Sequence, residues 1–181
     1  MARGRLTSLP HKCGAQRRLA SNTKVYHMSV WIFFLTQLAI IAYALVGGVF
    51  LAFSDFIMRS LAHTSGVGGV EAMQAINREV FRWVFMALFI GLAPVSLLFA
   101  TYGGFFLGGQ PGTLMMLAGL VYFVGCFGVT VFFNVPMNEA LSGMDLGLEA
   151  TQDYWSGTYL PRWTFWNSVR TAACALSSGL L

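Results

Sequence analysis

The chain has 181 residues, of which 56% are hydrophobic and 10% are charged, and its mean hydropathy is +0.65. Soluble domains carry about 25% charged residues, so this composition excludes an ordinary soluble enzyme and indicates an integral membrane protein. The net charge of +4 is concentrated at the N-terminus, where six basic residues precede the first acidic one. A basic flank of this kind orients the first membrane helix and does not indicate nucleic-acid binding.

Residues 1–28 are predicted to form a basic N-terminal tail, since they are rich in arginine and contain no acidic residue. The tail is interpreted as a disordered cytoplasmic segment, as a targeting segment, or as the translation of a start codon placed too far upstream. The last interpretation arises because Met28 stands directly before the first apolar run. Residues 29–181 are predicted to form one four-helix transmembrane domain.

Four apolar segments approach the length of about 20 residues that a spanning helix needs; they cover about residues 30–57, 83–100, 114–133 and 163–181. Residues 70–82, before the second segment, have the apolar spacing of an amphipathic helix. The predicted fold class is all-α: a four-helix transmembrane bundle with an additional amphipathic interfacial helix before the second transmembrane helix. With the basic tail inside, the N- and C-termini are expected in the cytoplasm, and the protein in a bacterial inner membrane.

Two runs of small residues are interpreted structurally. Ala44, Gly48 and Ala52, spaced four apart, are expected to let a neighbouring helix approach the first helix closely. The glycine-rich residues 102–113 are expected to form a loop between the second and third membrane helices.

Arg170 lies well inside the last apolar segment. A cation at this depth costs about 3 to more than 10 kcal/mol, so its side chain is expected to face the bundle and to have a partner. Asp55, the deepest carboxylate, is the predicted counter-ion. Two alternatives stay open: Arg170 extends outward to the interface, or Asp55 is interfacial and pairs with Arg59, four residues later on the same helical face.

Polar side chains of the predicted helices fall near one membrane face, the non-cytoplasmic one. Because the helices alternate in direction, these side chains are predicted to form one polar pocket in the outer half of the bundle. Asn134 and Asn138 flank Pro136 and are interpreted either as helix caps or as ligand contacts. The candidate catalytic residues are Asp55 and Arg170, and the candidate binding residues are Ser54, Arg59, Asn77, Asn134, Asn138, Trp163, Trp166 and Asn167.

These residues lie in four sequence blocks: FSDFIMRSL (53–61), EAMQAINR (71–78), FNVPMN (133–138) and WTFWNSVRT (163–171). In this order the blocks resemble the anthrone-oxygenase-like family of small four-helix integral membrane proteins, over about residues 46–181. The resemblance implies a link to the oxidation of anthrones to anthraquinones, in which some members are implicated, while most bacterial members have no assigned reaction. Ser168 stands where family members often carry histidine, so a general base or metal ligand is expected to be missing.

Two functions of different classes are compatible with these features. In the first, the protein is a cofactor-free oxygenase in which Asp55 or a neighbour removes a proton and Arg170 stabilises a phenolate, while asparagine side chains orient oxygen atoms. In the second, it is a non-catalytic accessory or structural subunit of a membrane complex, or binds a lipid, quinone or pigment. The expected partners are membrane lipid, a hydrophobic aromatic or quinone-like molecule and other membrane subunits. The sequence contains no motif for a metal, flavin or haem, and the three scattered cysteines are interpreted as buried small hydrophobic residues.

Overall fold

The structure, a computed structural model, describes residues 28–181, so the predicted tail at residues 1–27 lies outside the described residues. Within this range every regular element is helical and no strand occurs, which confirms the all-α class. Five helices follow one another: α1 (Val30–Ala62), α2 (Gly68–Glu79), α3 (83–107), α4 (Gly109–Ser142) and α5 (149–180).

Three of these helices, α1, α3 and α4, are long and apolar enough to cross a membrane. Their composition therefore indicates an integral membrane protein. Helix α5 does not belong to this group, because polar side chains such as Asn167 and Arg170 lower its hydropathy. The predicted count of four spanning helices stays a prediction.

The long helices pack side by side in the order α1, α5, α4, α3, and α3 returns to contact α1. The short helix α2 packs against the end of α1 and against the last turns of α4. It is amphipathic as predicted, since Val70, Met73 and Asn77 are buried while Arg78 and Glu79 are exposed. Gln74 fixes its position, because its Nε2 donates to the carbonyl oxygens of Leu141 at 2.9 Å and Met144 at 3.0 Å.

The glycine-rich connection between α3 and α4 is helical, so the prediction of a loop at residues 102–113 is wrong. The two helices are separated at Gly108 and Gly109, with φ at +64° and +61° and therefore in the region that favours glycine. Gly103 and Gly112 are needed because the backbones of the two helices touch there. A Cβ on Gly103 would clash with the carbonyl oxygen of Gly112. The two helices consequently approach each other closely at the turn.

The close approach of α1 to α5 occurs at Gly47 and not at the predicted stripe. A Cβ on Gly47 would lie 2.9 Å from the Cβ of Cys174, whereas one on Gly48 would meet nothing within 4 Å. Ala44 and Gly48 are exposed, because the face of α1 that carries them points away from α5. The predicted stripe is thus one residue out of phase with the packed face.

Candidate functional site

Arg170 is buried, with 5% of its surface exposed. Its guanidinium carbon lies 4.1 Å above the ring of Phe50 and 5.2 Å from the ring of Trp163, so the cation is held between aromatic faces. Nη2 donates to Oδ1 of Asn167 at 2.6 Å, and Nη1 donates to the hydroxyl of Thr130 at 3.3 Å. Its Nε has no hydrogen-bond partner among the described residues. The prediction that Arg170 faces the interior is confirmed.

Asn167 connects α5 to α1 directly beside this arginine. Its side chain is fully buried, and its Nδ2 donates to the carbonyl oxygen of Phe50 and to Oγ of Ser54, each at 2.6 Å. Because both hydrogens of the amide are used on α1, the amide oxygen is oriented toward Arg170. Ser54, one of the predicted residues, therefore orients the amide of Asn167, which in turn binds Arg170.

The predicted ion pair between Asp55 and Arg170 is wrong. Asp55 is exposed, and the one ion pair among residues 28–181 joins Arg82 to Glu79. Ser54 faces α5, and the residue that follows it points to a different side of the helix, which turns the carboxylate out of the bundle. All seven acidic residues are exposed, so the guanidinium is stabilised by amide, hydroxyl and aromatic groups alone.

A second polar cluster joins α4 to the first half of α5. Oδ1 of Asn138 accepts hydrogen bonds from the hydroxyl of Tyr159 and from Nε1 of Trp163, both at 2.7 Å. Burial raises the pKa of Tyr159 above its ordinary value, so the hydroxyl stays protonated and remains a donor. Trp163 thus contributes its indole nitrogen to Asn138 and its ring to the surroundings of Arg170.

These two clusters border one cavity of about 240 Å³. Aromatic and aliphatic side chains from all five helices form most of its wall, and the polar groups are contributed by Asn77, Thr130, Asn138 and Arg170. Exposed apolar side chains, namely Val49, Phe81, Ile90 and Val131, also line it. The cavity is therefore open at a rim that is apolar. Its apolar wall includes six phenylalanines, namely Phe50, Phe53, Phe81, Phe85, Phe89 and Phe127, and two methionines, Met73 and Met86.

Four of the predicted site residues line this cavity, and six do not. The lining residues are Asn77, Asn138, Trp163 and Arg170. Asn167 and Ser54 support Arg170 without lining the cavity, and Asn134 is buried, where its Nδ2 donates to the carbonyl oxygen of Trp163 at 3.3 Å. Trp166 stacks on Phe133 at 3.8 Å. Asp55 is exposed, and Arg59 lies in a separate depression of the surface.

Ser168 lies in that separate depression between α1 and α5, together with Ser54 and Arg59. It is exposed, and its hydroxyl bonds to Oγ of Ser54 at 2.9 Å and to the carbonyl oxygen of Thr164 at 2.9 Å. The position at which this chain differs from the family pattern is therefore outside the cavity.

Sequence reasoning missed Thr130 and the phenylalanine wall. Thr130 has a usable signal, because it lies four residues before Asn134 and eight before Asn138 on α4 and shares their face of the helix. The phenylalanines have none: with 16 in the chain, composition alone does not separate those of a cavity wall from those facing outward.

Among the described residues, no three His, Cys, Asp or Glu side chains are grouped so as to hold a metal ion. Cys126 and Cys174 are buried and free, as predicted, with their sulfur atoms 3.4 Å apart. Each lies one helical turn from a site residue, since Cys126 precedes Thr130 by four and Cys174 follows Arg170 by four.

The family model described as anthrone oxygenase matches residues 84–180, which is more than half of the chain. The match includes Thr130, Asn138, Trp163 and Arg170 but not Asn77, which lies before it. No curated protein and no solved structure matches the chain.

Proposed function

The chain belongs to the anthrone oxygenase family, and on that basis we propose that its cavity binds a flat, hydrophobic aromatic molecule and oxidises it with dioxygen. The observation that supports this proposal is Arg170, a buried cation that lines the cavity and has no carboxylate partner. An unpaired buried charge is costly. A ligand with an ionised oxygen would supply the missing negative charge.

The size and walls of the cavity support an aromatic ligand. A dry apolar cavity of about 150 Å³ accommodates benzene, and this one, at about 240 Å³, also opens at its rim. The rings of Phe85 and Phe89 are parallel, with centroids 6.3 Å apart, and Phe50 is nearly perpendicular to both. Such ring faces and edges are the contacts that a planar aromatic molecule prefers.

The apolar rim supports entry from the bilayer. Ile90 of α3 and Val131 of α4 are exposed and line the cavity, and both belong to helices apolar enough to span a membrane. A hydrophobic substrate dissolved in lipid would reach Arg170 between these two helices without passing through water.

In the proposed reaction the methylene carbon of an anthrone becomes a ketone. Two carbon–hydrogen bonds are broken, one oxygen atom of dioxygen becomes the ketone oxygen, and the other leaves with both hydrogens as water. Four electrons pass from carbon to dioxygen, so no further reductant is required. The guanidinium of Arg170 would stabilise the negative charge of the ionised substrate oxygen. Because no carboxylate or imidazole of the described residues lines the cavity, a water molecule inside the cavity would take up the proton from carbon and pass it to the leaving oxygen atom. Asp55, which lies outside the cavity, is not proposed as the base.

A binding role without catalysis is the second candidate. The same absence of a basic side chain in the cavity wall favours it, since general-base catalysis normally needs one within hydrogen-bond reach. In this role the cavity would hold a lipid, quinone or pigment, and the exposed apolar helix faces would contact membrane lipid or other subunits of a membrane complex.

We propose further that four helices, α1, α3, α4 and α5, cross the membrane. Helix α5 would cross from Pro161 to the chain end, with both termini in the cytoplasm of a bacterial inner membrane. The basic residues before α1 support this orientation.

The test is anthrone oxidation by the full-length protein in mild detergent, with the spontaneous reaction in air subtracted. We expect Arg170→Met to reduce the catalysed rate to background, and Asp55→Asn, outside the cavity, to retain the wild-type rate. Mass spectrometry of molecules extracted from the purified protein identifies what the cavity carries. A catalysed rate that survives Arg170→Met contradicts the mechanism, whereas a bound aromatic anion without turnover favours the binding role.

A further inference from the structure

Three side chains of α4 and α5 form a hydrogen-bonded chain beside the cavity, and the indole of Trp163 fixes its direction. Nε1 of Trp163 can only donate, so the atom of Asn138 that lies 2.7 Å from it is the amide oxygen. The hydroxyl of Tyr159 lies 2.7 Å from the same oxygen. Because an amide oxygen only accepts, Tyr159 uses its single hydrogen on Asn138 and has only lone pairs left for another neighbour.

Asn77 of α2 is that other neighbour. The residue is 8% exposed, and its Nδ2 is buried and turned to the hydroxyl of Tyr159. The reverse orientation of the amide would place two oxygen atoms against each other without a hydrogen between them, since the hydrogen of Tyr159 points to Asn138. The accessible polar atom of Asn77 is therefore its acceptor, Oδ1, and Asn77 lines the cavity.

Helix α2 holds Asn77 in this position. Gln74, three residues earlier, donates to two carbonyl oxygens at the end of α4, and Met73 beside it is buried in the cavity wall. The acceptor of Asn77 is thus presented to the cavity by an anchored helix and not by a loop.

This acceptor is separate from the cationic site. Arg170 makes no hydrogen bond to Asn77, although both residues line the cavity. Trp163 takes part in both regions, because its ring lies 5.2 Å from the guanidinium carbon and its indole nitrogen begins the chain that orients Asn77. The cavity therefore offers a ligand one cation and one neutral acceptor. An acceptor in a mostly apolar wall calls for a donor on the ligand.

We propose that Oδ1 of Asn77 accepts a hydrogen bond from a neutral hydroxyl group of the ligand, while Arg170 binds its ionised oxygen. The inference rests on the proposed function and narrows its substrate class to planar aromatic molecules that carry a free hydroxyl besides the ionised oxygen. A methyl ether at that place cannot donate and leaves the acceptor unpaired. Asn77 is then a specificity-determining residue that lies outside the segment matched by the family model, and Tyr159 is a positioning residue.

The test uses 2-naphthoates, in which the carboxylate provides the anion for Arg170. Three isomers with a hydroxyl at position 5, 6 or 7 are each compared with their methyl ether, and unsubstituted 2-naphthoate is the common reference. Dissociation constants are measured with the full-length protein in mild detergent near neutral pH, where the hydroxyl is not ionised. We expect the wild type to bind one isomer about tenfold more tightly than its methyl ether, which corresponds to about 1.4 kcal/mol, and more tightly than 2-naphthoate.

Three variants identify the cause of this preference. Asn77→Leu should bring the ratio between the preferred isomer and its methyl ether close to one and leave the affinity for 2-naphthoate within about twofold. Tyr159→Phe removes the hydroxyl that holds Nδ2, so it should lower the same ratio with Asn77 still present, and it serves if the leucine variant does not fold. Arg170→Met should weaken all the naphthoates and keep the ratio.

The outcomes separate the subsite from the proposed function. If the wild type binds no hydroxy isomer more tightly than its methyl ether, or if the ratio survives Asn77→Leu or Tyr159→Phe, the hydroxyl subsite is overturned and the proposed function stands. If the wild type binds neither the naphthoates nor anthraquinone-2-carboxylate, the proposed function itself is contradicted.

Discussion

The guanidinium of Arg170 lies 4.1 Å above the ring of Phe50, and it has no carboxylate partner. The contact joins α5 to α1 in the same place where Asn167 donates to the carbonyl oxygen of Phe50. Phe50 therefore contacts Arg170 through its ring and accepts a hydrogen bond from Asn167 through its backbone carbonyl oxygen. The charge is accommodated by the protein without being neutralised by it.

Arg170→Met is expected to separate stability from binding. Methionine has a similar volume and no charge, so it removes the cost of a buried cation without a carboxylate partner. It also leaves the buried amide oxygen of Asn167 without its donor, at about 1–3 kcal/mol, and the two effects offset each other. We expect the thermal unfolding midpoint in detergent to stay level or rise, while the affinity for anthraquinone-2-carboxylate falls at least tenfold. A variant that is destabilised by several kcal/mol would mean that the cation is part of the structural core.

Asn167→Leu is expected to destabilise the protein by about 2–4 kcal/mol, because it removes donors to Phe50 and Ser54 and the acceptor of Arg170 in one step. Asp55→Asn should change the unfolding free energy by less than about 0.5 kcal/mol, since that carboxylate is exposed. Chemical or thermal unfolding of both variants in the same detergent provides the comparison. If Asp55→Asn destabilises the protein as much as Asn167→Leu does, the exposed position of the Asp55 carboxylate is contradicted.

Gly47→Ala and Gly48→Ala are expected to have effects of opposite sign. The first places a Cβ 2.9 Å from that of Cys174, so α1 and α5 must separate, at a cost of about 1–3 kcal/mol. The second adds a methyl group in open space and should stabilise the helix by up to about 1 kcal/mol. The thermal unfolding midpoints of the two variants are compared in the same detergent. A lower midpoint for Gly48→Ala would mean that another helix packs against that face of α1.

Trp163→Phe is expected to weaken binding of the anthraquinone probe by about three- to tenfold. Phenylalanine keeps a ring near Arg170 but has no N–H, so Asn138 loses one of the two donors that orient its amide. Trp166→Phe is the matched control, because Trp166 stacks on Phe133 and does not line the cavity. Titration of the two variants with the probe should show an effect for Trp163 alone.

Reporter fusions test the membrane arrangement. If α5 crosses the bilayer, a reporter inserted in the connection between α4 and α5, at residues 143–148, lies outside the cytoplasm, and one placed after Leu181 lies inside. Alkaline phosphatase and a fluorescent protein that matures only in the cytoplasm give complementary signals. Both reporters on one side would mean that three helices span and α5 lies along the membrane.

The inward position of Arg170 could be predicted from the sequence, because the cost of exposing a cation to lipid allows few alternatives. Its partner could not. Asp55 and Ser54 are neighbours in the chain, and hydropathy does not specify which of them faces α5. The sequence also does not show that side-chain amides and aromatic rings replace the carboxylate, since such contacts depend on small differences in the distance between helices.

The amphipathic helix α2 was predictable because Val70, Met73 and Asn77 recur with helical spacing. That it closes one side of the cavity was not, because this depends on Gln74 reaching carbonyl groups 67 and 70 residues away in the chain. The glycines between α3 and α4 were misinterpreted for a related reason: a glycine needed for close packing and a glycine needed for a turn look the same in sequence.

The hydroxyl of Ser54 accepts a hydrogen bond from Asn167 on one side and is hydrogen-bonded to the hydroxyl of Ser168 on the other. The side chain of Ser54 thus links the buried Asn167 to the exposed Ser168. Position 168 is therefore connected to Arg170 through Ser54 and Asn167, although Ser168 does not line the cavity. We expect a different residue at position 168 to change the orientation of Asn167 and, through it, the position of the arginine.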